Sequence, residues 1–218
     1  MLTPMQSRQA GVSLIELMVG ILVGMIVVAG SFAMFSITSR AGNDNIRALK
    51  LNQELQMVAD LIGNEIRRSG YLNQITTTNP YSTVLTPTNN CLLYGYDSDL
   101  NGSDNPGEWT GFRRDNDNIV RVRTPGVSIT DCANGTWSPL TDPQTVAITA
   151  LTFQQCYFYP GSTQTAGACP SCSSTAAEIP MRYLLISLTG SLPNDPSTTR
   201  SIQWSERLRN DLFANACN

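Results

Sequence analysis

Between Leu17 and Ile37 the chain carries no charged residue, and this run of 21 restricts what it can fold into more than any other feature. As a helix rising ~1.5 Å per residue it is ~31 Å long, the thickness of the hydrocarbon layer of a bilayer. A short polar segment, Met1 to Gly11, precedes it, and one carboxylate, Glu16, stands at its N-terminal edge. Burying that acid alone costs about 2.5–3.5 kcal/mol on insertion scales, so the sequence predicts a partner charge for it.

Gly11-Val12-Ser13-Leu14-Ile15-Glu16 resembles the class III signal of type IV prepilins. There a polar leader ends in Gly and the mature chain opens with a Phe-Thr-Leu-Ile-Glu-like run. The resemblance implies that prepilin peptidase cuts between Gly11 and Val12 and that the new N-terminus at Val12 is methylated. It implies that Glu16 serves assembly by neutralising the N-terminal amine of a neighbouring subunit. Val12 stands where Phe is commoner. Two plainer readings compete: a secretory signal with Arg8 as its basic region and a small-x-small site at Ser31-Phe32-Ala33, or a simple anchor. A Gly closing the polar segment and a Glu opening the apolar one fit neither. Arg40, Arg47 and Lys50 follow the span and only Arg8 precedes it, which does not favour an outward C-terminus; the cleavage motif outweighs that count.

The remainder of the 218 residues suits one globular domain. Net charge is −3 with 14 Lys+Arg and no basic cluster, which argues against nucleic acid as a partner. With no His there is no His-dependent triad, and a zinc site is disfavoured. No Gly-rich phosphate loop, nucleophile elbow or pair of catalytic acids is seen, so neither an enzyme nor a small-molecule substrate is expected. Six cysteines, Cys91, Cys132, Cys156, Cys169, Cys172 and Cys217, all follow the span and fit structural disulfides in an oxidising periplasm. Six allow fifteen pairings.

Helical periodicity continues past the span. Ile46, Leu49, Leu55, Val58, Leu61, Ile62 and Ile66 recur at three- and four-residue steps, and no Pro occurs between Val12 and Asn79. A nearly continuous helix from about Ser13 to Arg68 is predicted, with Gly42-Asn43-Asp44 and Gly63 as soft points and Gly70 as its C-cap. Many major pilins bend early at a Pro; Ala33 stands at the matching position. Glu65-Ile66-Arg67-Arg68-Ser69-Gly70-Tyr71 resembles the Ile-Arg-Arg-Ala-Gly-Tyr segment of PilW-type minor pilins, and is in any case a capped helix end with a basic turn.

Asn73 to Asn90 reads as a loop. Strand-like runs follow at Cys91–Tyr96, Asn118–Arg123, Val146–Phe153, Gln155–Tyr159, Met181–Thr189 and Arg200–Arg209. One long helix before several short strands predicts an α+β fold with a mostly antiparallel sheet, which is also the pilin fold. Arg207-Leu208-Arg209-Asn210 resembles that family's last strand.

Asp97 to Glu108 fits the calcium-loop pattern D-x-D-x-N-G-x5-E at every specified position. Oxygen ligands would come from Asp97, Asp99, Asn101, the Ser103 carbonyl, Asn105 and bidentate Glu108, with Gly102 at the sharp turn. The plainer alternative is an Asx-turn-rich hairpin loop without metal. Cys169-Pro170-Ser171-Cys172 has redox-dithiol spacing but lies in a Gly/Ser/Thr-rich stretch, so structural pairing is expected, within the motif or from one Cys to Cys156. Cys217 would tie down the tail, and a Cys91–Cys132 bond would hold the lobe around the acidic loop. Arg113 to Asn118 reads as a solvated turn, and Trp109, Trp137 and Trp204 as core or interface aromatics.

These readings converge on a minor pilin of type IV pilus assembly. Residues 1–11 are the leader, 12–37 the membrane and assembly half of the helix, 38–70 its amphipathic half, and 71–218 a periplasmic β-rich domain. The expected partners are prepilin peptidase, the major pilin, other minor pilins and the bacterial inner membrane, before incorporation into the pilus. The alternatives are a minor pseudopilin of a type II secretion system, a calcium-dependent adhesive module on a pilin stalk, and a periplasmic enzyme released near Met34.

Overall fold

The computed structural model describes residues 11–74, 79–126, 131–161, 168–173 and 180–210. The chain divides into two compact units, Met1–Arg47 and Ala48–Asn218. Helix α1, Leu14–Arg68, runs from the first into the second without interruption at Gly42-Asn43-Asp44. In the first unit its apolar side chains are exposed on every face, Leu14 to Ile37 included. In the second unit burial narrows to one stripe, Leu51, Leu55, Val58, Ile62 and Ile66, the spacing of one helix face. The helix ends as its sequence predicts, with Arg67 and Arg68 in the last turn and Gly70 at φ +76°.

That stripe closes a core over two antiparallel sheets, an α+β layout of the kind the pilin resemblance implies. The first sheet runs in chain order: β1 (Leu85–Thr88), β2 (Cys91–Gly95), β3 (Trp109–Arg114), β4 (Val120–Arg123) and β5 (Trp137–Pro139). The second holds β6 (Ala147–Phe158), β7 (Met181–Leu192) and β8 (Asp195–Arg207), with β7 central. In β7 every even position from Arg182 to Gly190 is buried, so Leu184, Ile186 and Leu188 face the core as their alternation predicts. Gly190 lets the helix lie close, because a Cβ there would lie 2.9 Å from the Leu55 side chain, which would have to shift.

The strand expectations need four corrections. Among the described residues the strands form two sheets where one was expected. The runs either side of Gln154 form the single strand β6, since a strand buried on one face tolerates exposed Gln on the other. β1, β3 and β5 were not anticipated, and the supposed turn at Arg113 and Arg114 is the end of β3. Arg113 lies over the Trp137 ring at 4.4 Å and pairs with Asp115, which also holds Arg121, so these charges cover the sheet as well as meeting water. Arg123 departs from the alternation: it is buried, and Gly135 at φ +96° leaves the space its guanidinium fills.

Cys91 bonds to Cys132 and Cys156 to Cys169. The Cys-x-x-Cys motif therefore does not close on itself; Cys172 is also disulfide-bonded, and Cys217 lies outside the described residues.

Leu55→Ala should cost about 2–5 kcal/mol in equilibrium unfolding, since it empties a fully buried site under the helix. Gly111→Ala should cost about 1–3 kcal/mol or more, because the new Cβ meets the Leu92 carbonyl rather than a movable side chain.

Candidate functional site

The N-terminal site begins outside the helix. Gly11, Val12 and Ser13 are non-helical and exposed, and the first helical bond runs from Leu17 N–H to Ser13 C=O at 3.2 Å. Nothing lies within 4 Å of the position a Gly11 Cβ would take. Glu16 falls in the first helical turn, where the unsatisfied amides favour a negative charge, and its side chain is exposed. The Gly11–Val12 bond thus lies in exposed, non-helical backbone directly before a helix, a geometry that a peptidase can reach.

The second site is the loop between β2 and β3. Where the chain leaves α1 it is tied to this loop: Gly70 N–H donates to Gly95 C=O at 2.8 Å, and Asp97 N–H to Tyr71 C=O at 2.9 Å. Asp97 is buried and accepts from the amides of Asn73, Gly102 and Asn101 at 3.0–3.1 Å. Burial pushes its pKa up, but those amides together more than offset it, and the net shift is downward. Leu100 at φ +62° and Gly102 at φ +71° make the sharp turn, and Gln74 lies where a Gly102 Cβ would go.

Glu108, also buried, closes the loop from the far end. One oxygen accepts from Ser98 N–H at 2.8 Å, and the other from Asn105 N–H at 3.1 Å and from the Tyr81 hydroxyl. Ser103 C=O lies 2.9 Å from the same oxygen, a second acceptor that shares its single proton. Burial and then Glu108 itself raise the Tyr81 pKa, so the hydroxyl stays a donor throughout the ordinary pH range. Asn101 accepts from Ser103 N–H at 2.7 Å and donates to Asp99 at 2.7 Å. Asn105 donates to Asp99 and to Ser103 C=O.

Of the six predicted ligands, the carboxylates of Asp97, Asp99 and Glu108 converge, with one oxygen from each within 4.8 Å of the others. A cation about 2.3–2.6 Å from each oxygen fits that spacing, and the donor set could hold a metal ion. Asn101, Ser103 and Asn105 are engaged in the loop's own hydrogen bonds, and a cation at Glu108 would compete with its amide donors. Tyr81 is the residue that sequence reasoning missed. Its signal was Asn79-Pro80, a cap followed by Pro, which opens the 3₁₀ turn Pro80–Ser82 that carries Tyr81 inward.

Tyr81→Phe should destabilise the domain by about 1–3 kcal/mol in urea unfolding, because the buried Glu108 carboxylate loses its hydroxyl donor. Because the folded-state pKa of Asp97 lies below the ordinary 3.8, its stabilising contribution is fully present above that value. It is lost as pH falls through the lower folded value. Melting curves from pH 7 into the acid range should therefore show an acid loss that Asp97→Ala flattens.

Two family models match the chain. One, described as a prokaryotic N-terminal methylation motif, covers residues 6–32 and so contains Gly11, Val12 and Glu16. The other, described as prepilin peptidase-dependent protein B, covers residues 44–208, most of the chain and nearly all of the second unit. No curated protein and no solved structure matches. The exposed N-terminal segment and the apolar helix fall under the first description and the sheets under the second, and the chain belongs to the prepilin peptidase-dependent protein B family of type IV pilin-like proteins.

Proposed function

We propose that this protein is a minor pilin that takes part in assembling a type IV pilus, within the complex that primes assembly or caps the tip, and so supports pilus-based motility or adhesion. The observation that carries the reading is Glu16, five residues after Gly11, at the head of a helix whose apolar side chains are exposed all round. Prepilin peptidase cuts after Gly11 and Val12 is methylated. Glu16 then pairs with the amine of a neighbouring subunit, which removes the cost of an isolated charge in lipid. Before assembly residues 12–37 cross the inner membrane once and residues 71–218 stand in the periplasm. The partners are the major pilin and other minor pilins.

N-terminal mass spectrometry of the membrane-purified protein, with and without prepilin peptidase, tests the processing. An N-methylated Val12 that disappears without the enzyme is expected; a chain starting at Met1 or near Met34 in both would sink the reading. Deleting the protein, or replacing Glu16 by Ala, should leave cells with few or no surface pili. If pili persist and type II secretion stops instead, the protein is a pseudopilin.

The converging carboxylates favour a second property: the Asp97–Glu108 loop binds calcium weakly, at ~10⁻⁴–10⁻³ M, and steadies a surface used in adhesion. Trp109 reports on it, since its ring N–H donates to Asp104 within the loop at 2.7 Å. Calcium should change tryptophan emission with a midpoint in that range, and Asp99→Ala should abolish the change. Constant emission and an unmoved melting temperature at about tenfold higher calcium would exclude it.

A further inference from the structure

The two edges of the β6–β7–β8 sheet differ. Along β6 the outward amides are taken up: Ile148 donates to Asn118 C=O, Phe153 to Asn89 C=O and Tyr157 to Pro170 C=O, at 2.8–2.9 Å. Along β8, from Asp195 to Glu206, no backbone bond reaches beyond β7 among the described residues. Open edges of this length are ordinarily blunted by charge, and Lys above all. Here the central residues Ser201 to Ser205 carry none.

Beside this edge lies a groove of about 330 Å³ between β8 and α1. Ile202 and Trp204, both half-buried, form its sheet side, and Gln56, Asp60, Gly63 and Asn64 its helix side. From Gln56 to Arg67 the helix wall runs ~16 Å, and from Ile202 to Glu206 the strand runs ~13 Å. Arg67 is turned onto Glu206 at 3.0 Å, and Gly63 makes room for that pair, since a Cβ there would lie 2.8 Å from Glu206. Asp60 is exposed and makes no hydrogen bond or ion pair within 4 Å among the described residues; Arg67, held by Glu206, is near enough to feel its charge but does not close on it.

We propose that β8 accepts an added strand from a different pilin-class subunit. The occupant is an extended segment of about four or five residues. Its inward side chains are alternately small and apolar over Ile202 and Trp204, and one Lys or Arg faces Asp60. Main-chain bonds to β8 supply affinity, the groove supplies selectivity, and the unpaired carboxylate sets the sign of the partner's charge. The inference rests on the reading of the chain as an assembling pilin, and names the surface through which it chooses a neighbour.

Hydrogen exchange of the full-length protein in detergent, alone and co-purified with pilin-class subunits made in the same cells, tests it. Amides in Ser201–Ser205 should exchange about tenfold or more slowly in the complex, with β6 amides unchanged. Asp60→Lys should remove the protection, and reversing the partner's basic residue to Glu should restore it. A complex in which β8 exchanges as freely as before overturns this inference and leaves the proposed function standing. Protection already present in the protein alone and rising with its concentration would assign the edge to a second copy, and also overturns it. No complex with any pilin-class subunit overturns both.

Discussion

Everything in this protein depends on one helix that must satisfy two solvents. From Leu14 through Ile37 its apolar side chains point in all directions, so no single protein surface can cover them and they need lipid or other helices around them. From Leu51 to Ile66 the apolar positions fall on one face, and two sheets cover that face. The change from an all-round pattern to a stripe occurs with no Pro and no break in the helix, so a single element carries both an exposed apolar surface long enough to cross a bilayer and part of the core.

The sheets are then held to the helix end by hydrogen bonds rather than by apolar contact alone. Gly70, Tyr71 and Asn73 follow the helix directly, and each meets the start of the acidic loop through its backbone. Asp97 and Glu108 act there as buried anions surrounded by amides, with Tyr81 as a further donor. The loop is thus an organised anchor for the chain where it leaves α1, whatever else it binds. Asp97 and Glu108 are the buried acceptors that the amides at the two ends of the loop turn toward.

The helix was legible because its evidence is redundant: periodicity, absence of Pro, basic residues in the last turn and Gly70 all agree. β7 was equally plain, as its alternation is strict over Tyr183 to Leu188. β3 was hidden because Gly111 and two arginines disguise a strand, and their packing on Trp137 and Asp115 is invisible without the neighbouring strands. β5 is three residues ending in Pro, which a sheet accepts only at an edge. The acidic loop was readable as a pattern of oxygens. Its dependence on Tyr81 was not, because that contact spans 27 residues and Tyr81 itself lies in sequence read as loop.

The two described disulfides give the domain a dependence on when and where it folds. Cys91–Cys132 closes 41 residues and Cys156–Cys169 closes 13, worth ~4 and ~3 kcal/mol by loop entropy. Their sum is comparable with the whole net stability of a small domain, about 5–15 kcal/mol. A chain kept reduced therefore lacks a large share of what holds its sheets and is easier to unfold. Oxidation then acts as a latch, so the stability of the finished domain depends on the redox state in which its cysteines close, although in the folded molecule they look like simple staples.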